Sequence, residues 1–202
     1  MPGYGTAEMS WEVIPTPGQP CVILNGTVQH VYSQLLEINS NHKTEDPKYL
    51  KAKRDESLAN PTAATAASAP TAASPAIWGI NCGGYHPASM KRIKDGISYL
   101  NNVTGRPING PGPNNCGRVS CSYNSSIWWC NDASVPPPAY QFSFHADCGL
   151  QNATPEALPG FYSIATGAMR IVGACPGKNN RTISGTATHP DNWRVVVKGD
   201  RC

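Results

Sequence analysis

Eight cysteines lie in this 202-residue chain, at Cys21, Cys82, Cys116, Cys121, Cys130, Cys148, Cys175 and Cys202. So many thiols persist safely where the compartment oxidises them into pairs. Five N-x-S/T triplets accompany them, at Asn25, Asn102, Asn124, Asn152 and Asn180. These act as glycan acceptors only in a chain that enters the secretory pathway. The two features together predict a secreted, extracellular, disulfide-stapled and glycosylated protein. The start, Met1-Pro-Gly-Tyr-Gly, has neither the charged nor the apolar region of a leader, so we expect a leader to have been removed and Met1 added.

Composition narrows the function classes. Charged residues make up 14%, beside 19 Gly and 19 Pro, which suits a loop-rich fold supported by bridges. A net charge of +3 is small for a protein that binds nucleic acid through phosphate neutralisation. No apolar run approaches the ~20 residues of a membrane span. A structural zinc site needs two closely spaced cysteine pairs. Cys116-x4-Cys121 is loose for one, and no second pair follows. We therefore expect no metal, no cofactor and a monomer.

The pattern divides the chain into three zones. In residues 1–40, Trp11 to Ile14 reads as a strand. Val28, Val31, Tyr32, Leu35 and Leu36 recur at helical spacing, with Asn25 or Thr27 placed to cap. Residues 41–76 hold the dibasic pair Lys53-Arg54 and then a run of Ala, Thr, Ser and Pro from Pro61 to Pro75. With no large apolar side chain this linker cannot bury area, and disorder is expected. A dibasic pair is what kexin-type secretory proteases cut, which would make residues 1–54 a prosegment. Residues 77–202 carry seven of the eight cysteines and form the core domain. There, Ile93, Ile97 and Leu100 predict a helix over 87–101, opened by Pro87 and weakened by Gly96. Alternation predicts a hairpin of 117–123 and 126–130 that turns at Asn124-Ser125. Thr154-Pro155-Glu156 opens a second helical pattern with Ile164, Ala168 and Ile171. Trp193, Val195 and Val197 alternate as a strand. The expected class is α+β: an antiparallel sheet with two helices packed on it and an N-terminal strand–helix extension. The odd cysteine count in 77–202 predicts that Cys21 bridges to that region. The hairpin leaves Cys116, Cys121 and Cys130 as competing partners.

The run Asn115 to Asp132 (N-C-G-R-V-S-C-S-Y-N-S-S-I-W-W-C-N-D), with N-C-G-G at 81–84, L-N-G-T at 24–27 and D-N-W-R-V-V at 191–196, resembles a widespread group of small secreted proteins of filamentous fungi. More loosely, C-G-R-V-S-C after a helix is similar to fungal necrosis-inducing effectors and to the viral killer-toxin fold of smut fungi. That resemblance implies an antiparallel sheet with two helices on one side, and a secreted effector or toxin. The long N-terminal segment and the C-terminus depart from those relatives. No catalytic residue carries over from them.

Four sets of residues are candidates for chemistry or recognition. His145-Ala-Asp147 and His189-Pro-Asp191 are two H-x-D pairs. A hydrolase can use such a pair as an oriented general base, and the four groups can also hold a metal. The plain alternative is a turn at 189–192 and a strand residue at His145. No G-x-S-x-G nucleophile motif is present. Trp128 and Trp129 must face opposite ways on a strand, one into the core and one outward as a platform for a sugar or a protein. Met90 to Lys94 is a basic helix segment open to an acidic partner. Gly105 to Gly117, with Arg106, Asn109 and Asn114 as polar groups, reads as a rigid contact loop. The expected activity is binding to an extracellular host protein or glycan. Hydrolysis, or inhibition of a host protease by the Gly/Pro loop, are the alternatives.

Overall fold

A computed structural model describes residues 5–16, 18–40, 77–103, 105–110, 112–134, 156–175, 177 and 180–202. The linker 41–76, with Lys53 and Arg54, lies outside them.

The central sheet follows from apolar alternation. Its strands are β1 (Gly5–Ala7), β4 (Gly79–Cys82), β7 (Asn115–Ser122), β8 (Ser125–Asn131), β11 (Gly185–His189) and β12 (Trp193–Gly199). They lie in the order β1-β7-β8-β12-β11-β4. All neighbours run antiparallel except β1, which pairs parallel to β7 through Gly5↔Asn115 to Ala7↔Gly117. A second sheet, β3-β2-β6-β9, comprises Val22–Asn25, Ser10–Val13, Arg106–Asn109 and Glu156–Ala157. A two-stranded ribbon pairs β5 (Ala88–Ser89) with β10 (Thr182–Ile183). Among the described residues the helices are α1 (Val28–Ile38), α2 (Met90–Asn102) and α3 (Phe161–Ala174). The class is α+β and disulfide-stapled, as expected. No described helix is long and apolar enough to cross a membrane.

One core joins the parts. Inward positions of the central sheet (Ile127, Trp129, Ala187, Val195 and Val197) pack with Ile93 and Leu100 of α2 and Ile164, Ala168 and Ile171 of α3. Met9, Trp11, Val13, Val28, Val31 and Leu35 belong to the same cluster. The N-terminal strands and α1 are therefore built into the core. Trp11 stacks on Phe161 with ring centroids 4.0 Å apart, and its Nε1 donates to the Gly26 carbonyl at 2.7 Å. Full burial of such an indole contributes on the order of 3 kcal/mol.

Several element boundaries differ from expectation, each for a local reason. Thr27 takes the N-cap position of α1 in extended conformation, without a side-chain capping bond. The buried stripe of α1 is Val28, Val31 and Leu35, while Leu36 stays exposed. Pro87 precedes α2 instead of opening it, because Ala88 and Ser89 are taken into pairing with Ile183 and Thr182. Gly96 does more than weaken that helix. A Cβ there would lie 2.9 Å from Ser120 Oγ and 3.1 Å from Ile127 Cδ1, so its absence lets α2 approach the sheet. Glu156 belongs to strand β9, paired with Asn109, and α3 starts only after Gly160. The hairpin turns one residue early, at Tyr123 (φ 48) and Asn124 (φ 57), both left-handed. This is the backbone of the tight turn that matches strand twist.

A register shift between Arg118 and Ser120 sets a bulge in β7. Gln29 of α1 serves it, donating from Nε2 to Ser120 Oγ (2.9 Å) and accepting from the Cys121 N–H (3.4 Å). The Cys121 backbone donor, just beyond the bulge, is thus met from a helix about ninety residues away.

Candidate functional site

All seven described cysteines are disulfide-bonded. Cys82 pairs with Cys175, Cys116 with Cys130 and Cys121 with Cys202. Thus the bridge across the hairpin uses Cys116, and Cys121 reaches instead to Cys202. The register explains it. Cys116 lies directly opposite Cys130, whereas Cys121 lies opposite Ser126. Cys148 lies outside the described residues.

Trp128 and Trp129 do take opposite faces of β8. Trp129 is fully buried in the main core. Trp128 packs with the Cys116–Cys130 bridge, Val196 and Tyr85, and keeps only 8% of its surface exposed. The expected exposed platform is therefore absent here. β8 lies between β7 and β12, and both of its faces are closed. The Trp128 Nε1 donates to Ser126 Oγ (2.9 Å) and Asp200 Oδ2 (3.0 Å). Lys198 Nζ sits 4.8 Å from its ring centroid and 3.4 Å from Asp200 Oδ2.

The H-x-D pairs do not form a described catalytic unit. His145 and Asp147 lie outside the described residues. His189 and Asp191 form a turn. The Asp191 backbone N–H donates to His189 Nδ1 at 3.2 Å, and the Asp191 side chain is 77% exposed. An oriented general base donates Nδ1–H to a buried carboxylate; here Nδ1 lies 3.3 Å from Asp191 Oδ2, a carboxylate in the open. The imidazole stacks on Trp193 (4.6 Å, 17°), and Trp78 meets both rings edge-on. Trp78 also packs over Gly167 of α3. The histidine belongs to an aromatic cluster that closes one end of the core. Among the described residues no group of His, Cys, Asp or Glu is arranged to hold a metal ion.

The Gly/Pro loop is pinned rather than projecting. Arg106–Asn109 is strand β6. Asn109 is buried, donating from Nδ2 to the carbonyls of Asn115 (3.2 Å) and Trp129 (3.0 Å). Asn131 holds the next turn, with Nδ2 on the Gly110 carbonyl at 3.1 Å. Arg106 is half-buried, and of the three expected contact residues only Asn114 is exposed.

Two further groups stand out in the structure, the second of them against the basic segment Met90 to Lys94 that the sequence singled out. Asp132, at the end of β8, lies 3.4 Å from Arg194 Nε, each side chain 22% exposed. Burial pushes the Asp132 carboxyl up to about 6 and lowers the Arg194 guanidinium. The contact alone would favour the ionised acid, but desolvation by burial outweighs it. The second is Tyr123, 74% exposed at the hairpin tip, with the Arg92 guanidinium 3.9 Å from its ring centroid. Arg92 is held by Asp95 at 3.3 Å, and Lys91 and Lys94 are exposed beside it. No local pattern marks Asp132 or Tyr123 themselves, since both depend on strand ends meeting other elements.

The fold and these sites define a disulfide-stapled α+β protein. No protein family, curated protein or solved structure matches the chain.

Proposed function

We propose that the chain is a secreted protein of the effector or toxin type, which acts by binding an extracellular host protein or glycan rather than by catalysis. The oxidised state of every described cysteine carries the secretory part of this reading. The recognition part rests on the hairpin tip, where exposed Tyr123, Lys91 and Lys94 accompany the half-buried Arg92. Aromatic rings and guanidinium groups are the side chains that contribute most at recognition surfaces. The protease-inhibitor alternative loses support, because the Gly/Pro loop is tied down by Asn109 and Asn131.

One observation favours hydrolysis as a second reading. A half-buried carboxyl pushed up to about 6 by burial, like that of Asp132, is the kind of group that acid–base catalysis uses. Binding of the oxidised protein to immobilised extracellular proteins and glycans from candidate hosts tests the first reading. Capture that survives Asp132→Asn but weakens in a Lys91/Arg92/Lys94→Ala variant supports it. Turnover of peptide, ester or glycoside substrates that Asp132→Asn abolishes would replace it with the second.

A further inference from the structure

Tyr123 occupies a position for which its side chain is poorly suited. At φ 48 it sits in the left-handed region, where turns of this kind favour Asn, Asp or Gly. It is also the second most exposed large hydrophobic residue described, after Ile77. Arg92 covers one face of its ring and the other is open. The next residue, Asn124, is exposed, left-handed and the acceptor of the triplet Asn124-Ser125-Ser126.

We infer that Asn124 carries an N-linked glycan whose innermost sugar stacks on the open face of Tyr123. The inference rests on the secretory reading above. The occupant explains the residue: an aromatic ring at the tip removes the apolar face of a pyranose from water, which Asn or Gly there would not do. In the transfer, Asn124 Nδ2 attacks the anomeric carbon of a lipid-pyrophosphate-linked oligosaccharide. The N–C bond forms, the C–O bond to pyrophosphate breaks, the lipid pyrophosphate leaves with the bonding pair, and the amide gives up one proton.

The structure also orders this event in time. The triplet's hydroxyl, on Ser126, is fully buried. It donates to the Lys198 carbonyl at 3.1 Å and accepts from Trp128 Nε1 at 2.9 Å. A transferase can read that hydroxyl only before β12, 72 residues further along the chain, docks on β8. Transfer therefore precedes closure of the central sheet.

The test expresses the whole chain behind a secretory leader in a eukaryotic host and maps occupancy by peptide mass spectrometry. Thermal unfolding is then followed before and after enzymatic release of the glycans. We expect Asn124 to be occupied. Release should lower the melting temperature of the natural protein by about 2–4 °C, lower that of Tyr123→Phe similarly, and lower that of Tyr123→Thr by less than half as much. Occupancy at Asn25 or Asn180 with none at Asn124 overturns this inference and leaves the secretory reading standing. Absence of glycan at every triplet overturns this inference and leaves the secretory reading, which rests on the disulfides, standing. Equal losses in the natural protein and Tyr123→Thr refute the stacking. Glycan transfer onto the folded, oxidised protein refutes the order of events.

Discussion

The indole of Trp11 lies flat against the ring of Phe161, 4.0 Å between centroids and 17° from parallel. It joins the first described strands to a helix about 150 residues further along the chain. Both rings are almost completely buried. Replacing Trp11 with Ala should destabilise the protein by about 3–5 kcal/mol, because an aromatic deletion leaves a cavity in addition to the lost burial. Chemical denaturation under non-reducing conditions measures it. A loss below ~1 kcal/mol would mean that the N-terminal strands do not share the core.

Cutting the chain between residues 40 and 77 should leave the two parts joined. Residues 9–35 contribute to the shared core, and Cys21 is disulfide-bonded. The three described pairs account for six other cysteines, and we predict Cys148 as its partner. A non-reducing gel should show one species and a reducing gel two. Peptide mapping that finds Cys21 bridged to any other residue contradicts this.

The bridges should differ in worth. Cys82–Cys175 and Cys121–Cys202 close loops of 93 and 81 residues, and Cys116–Cys130 a loop of 14. Loop-closure entropy makes each long bridge worth about 1.5 kcal/mol more than the short one. Paired Cys→Ala variants, compared by denaturant midpoint, check the order.

Gly167→Ala should destabilise, although alanine favours a helix by about 1 kcal/mol. The added methyl would lie 2.6 Å from Val195 Cγ2 and 2.9 Å from the Trp78 ring. Overpacking costs about 1–3 kcal/mol and outweighs the propensity gain. Gly173→Ala, where nothing lies within 4 Å, should stabilise instead. Melting temperatures of opposite shift are the expected result.

Asp132 sets a pH dependence of known sign. Its folded value, about 6, lies above its ordinary 3.8. Between these values the native state holds a proton that the unfolded chain has released. Stability from this group therefore falls as pH rises through about 4 to 6, and is level on either side. Asp132→Asn should remove that part of the slope, seen in melting temperature against pH. A natural protein whose slope matches the variant's would show that the carboxyl is not desolvated.

Hydrophobic period made much of this legible in the chain. Ile93, Ile97 and Leu100 announced α2, and the alternation around Val119, Cys121 and Trp193 announced the hairpin and the last strand, because local spacing alone decides which face a side chain takes. The even cysteine count predicted a bridge at Cys21, which is disulfide-bonded. Those facts were local or arithmetic.

Which cysteine faces which was settled by strand register, and Cys116 won Cys130 because β7 and β8 place them opposite each other. The same pairing buried Trp128 behind a second face and turned Asn109 from a surface contact into a staple. The pairing of β8 with β12 brought Asp132 to Arg194 across two strand ends. Desolvation and register depend on atoms distant in sequence, so no window of residues carries them. The tertiary structure alone made the Tyr123–Asn124 turn an exposed tip held by Arg92, because the helix that supplies the cation is packed beside the hairpin only once the core has closed.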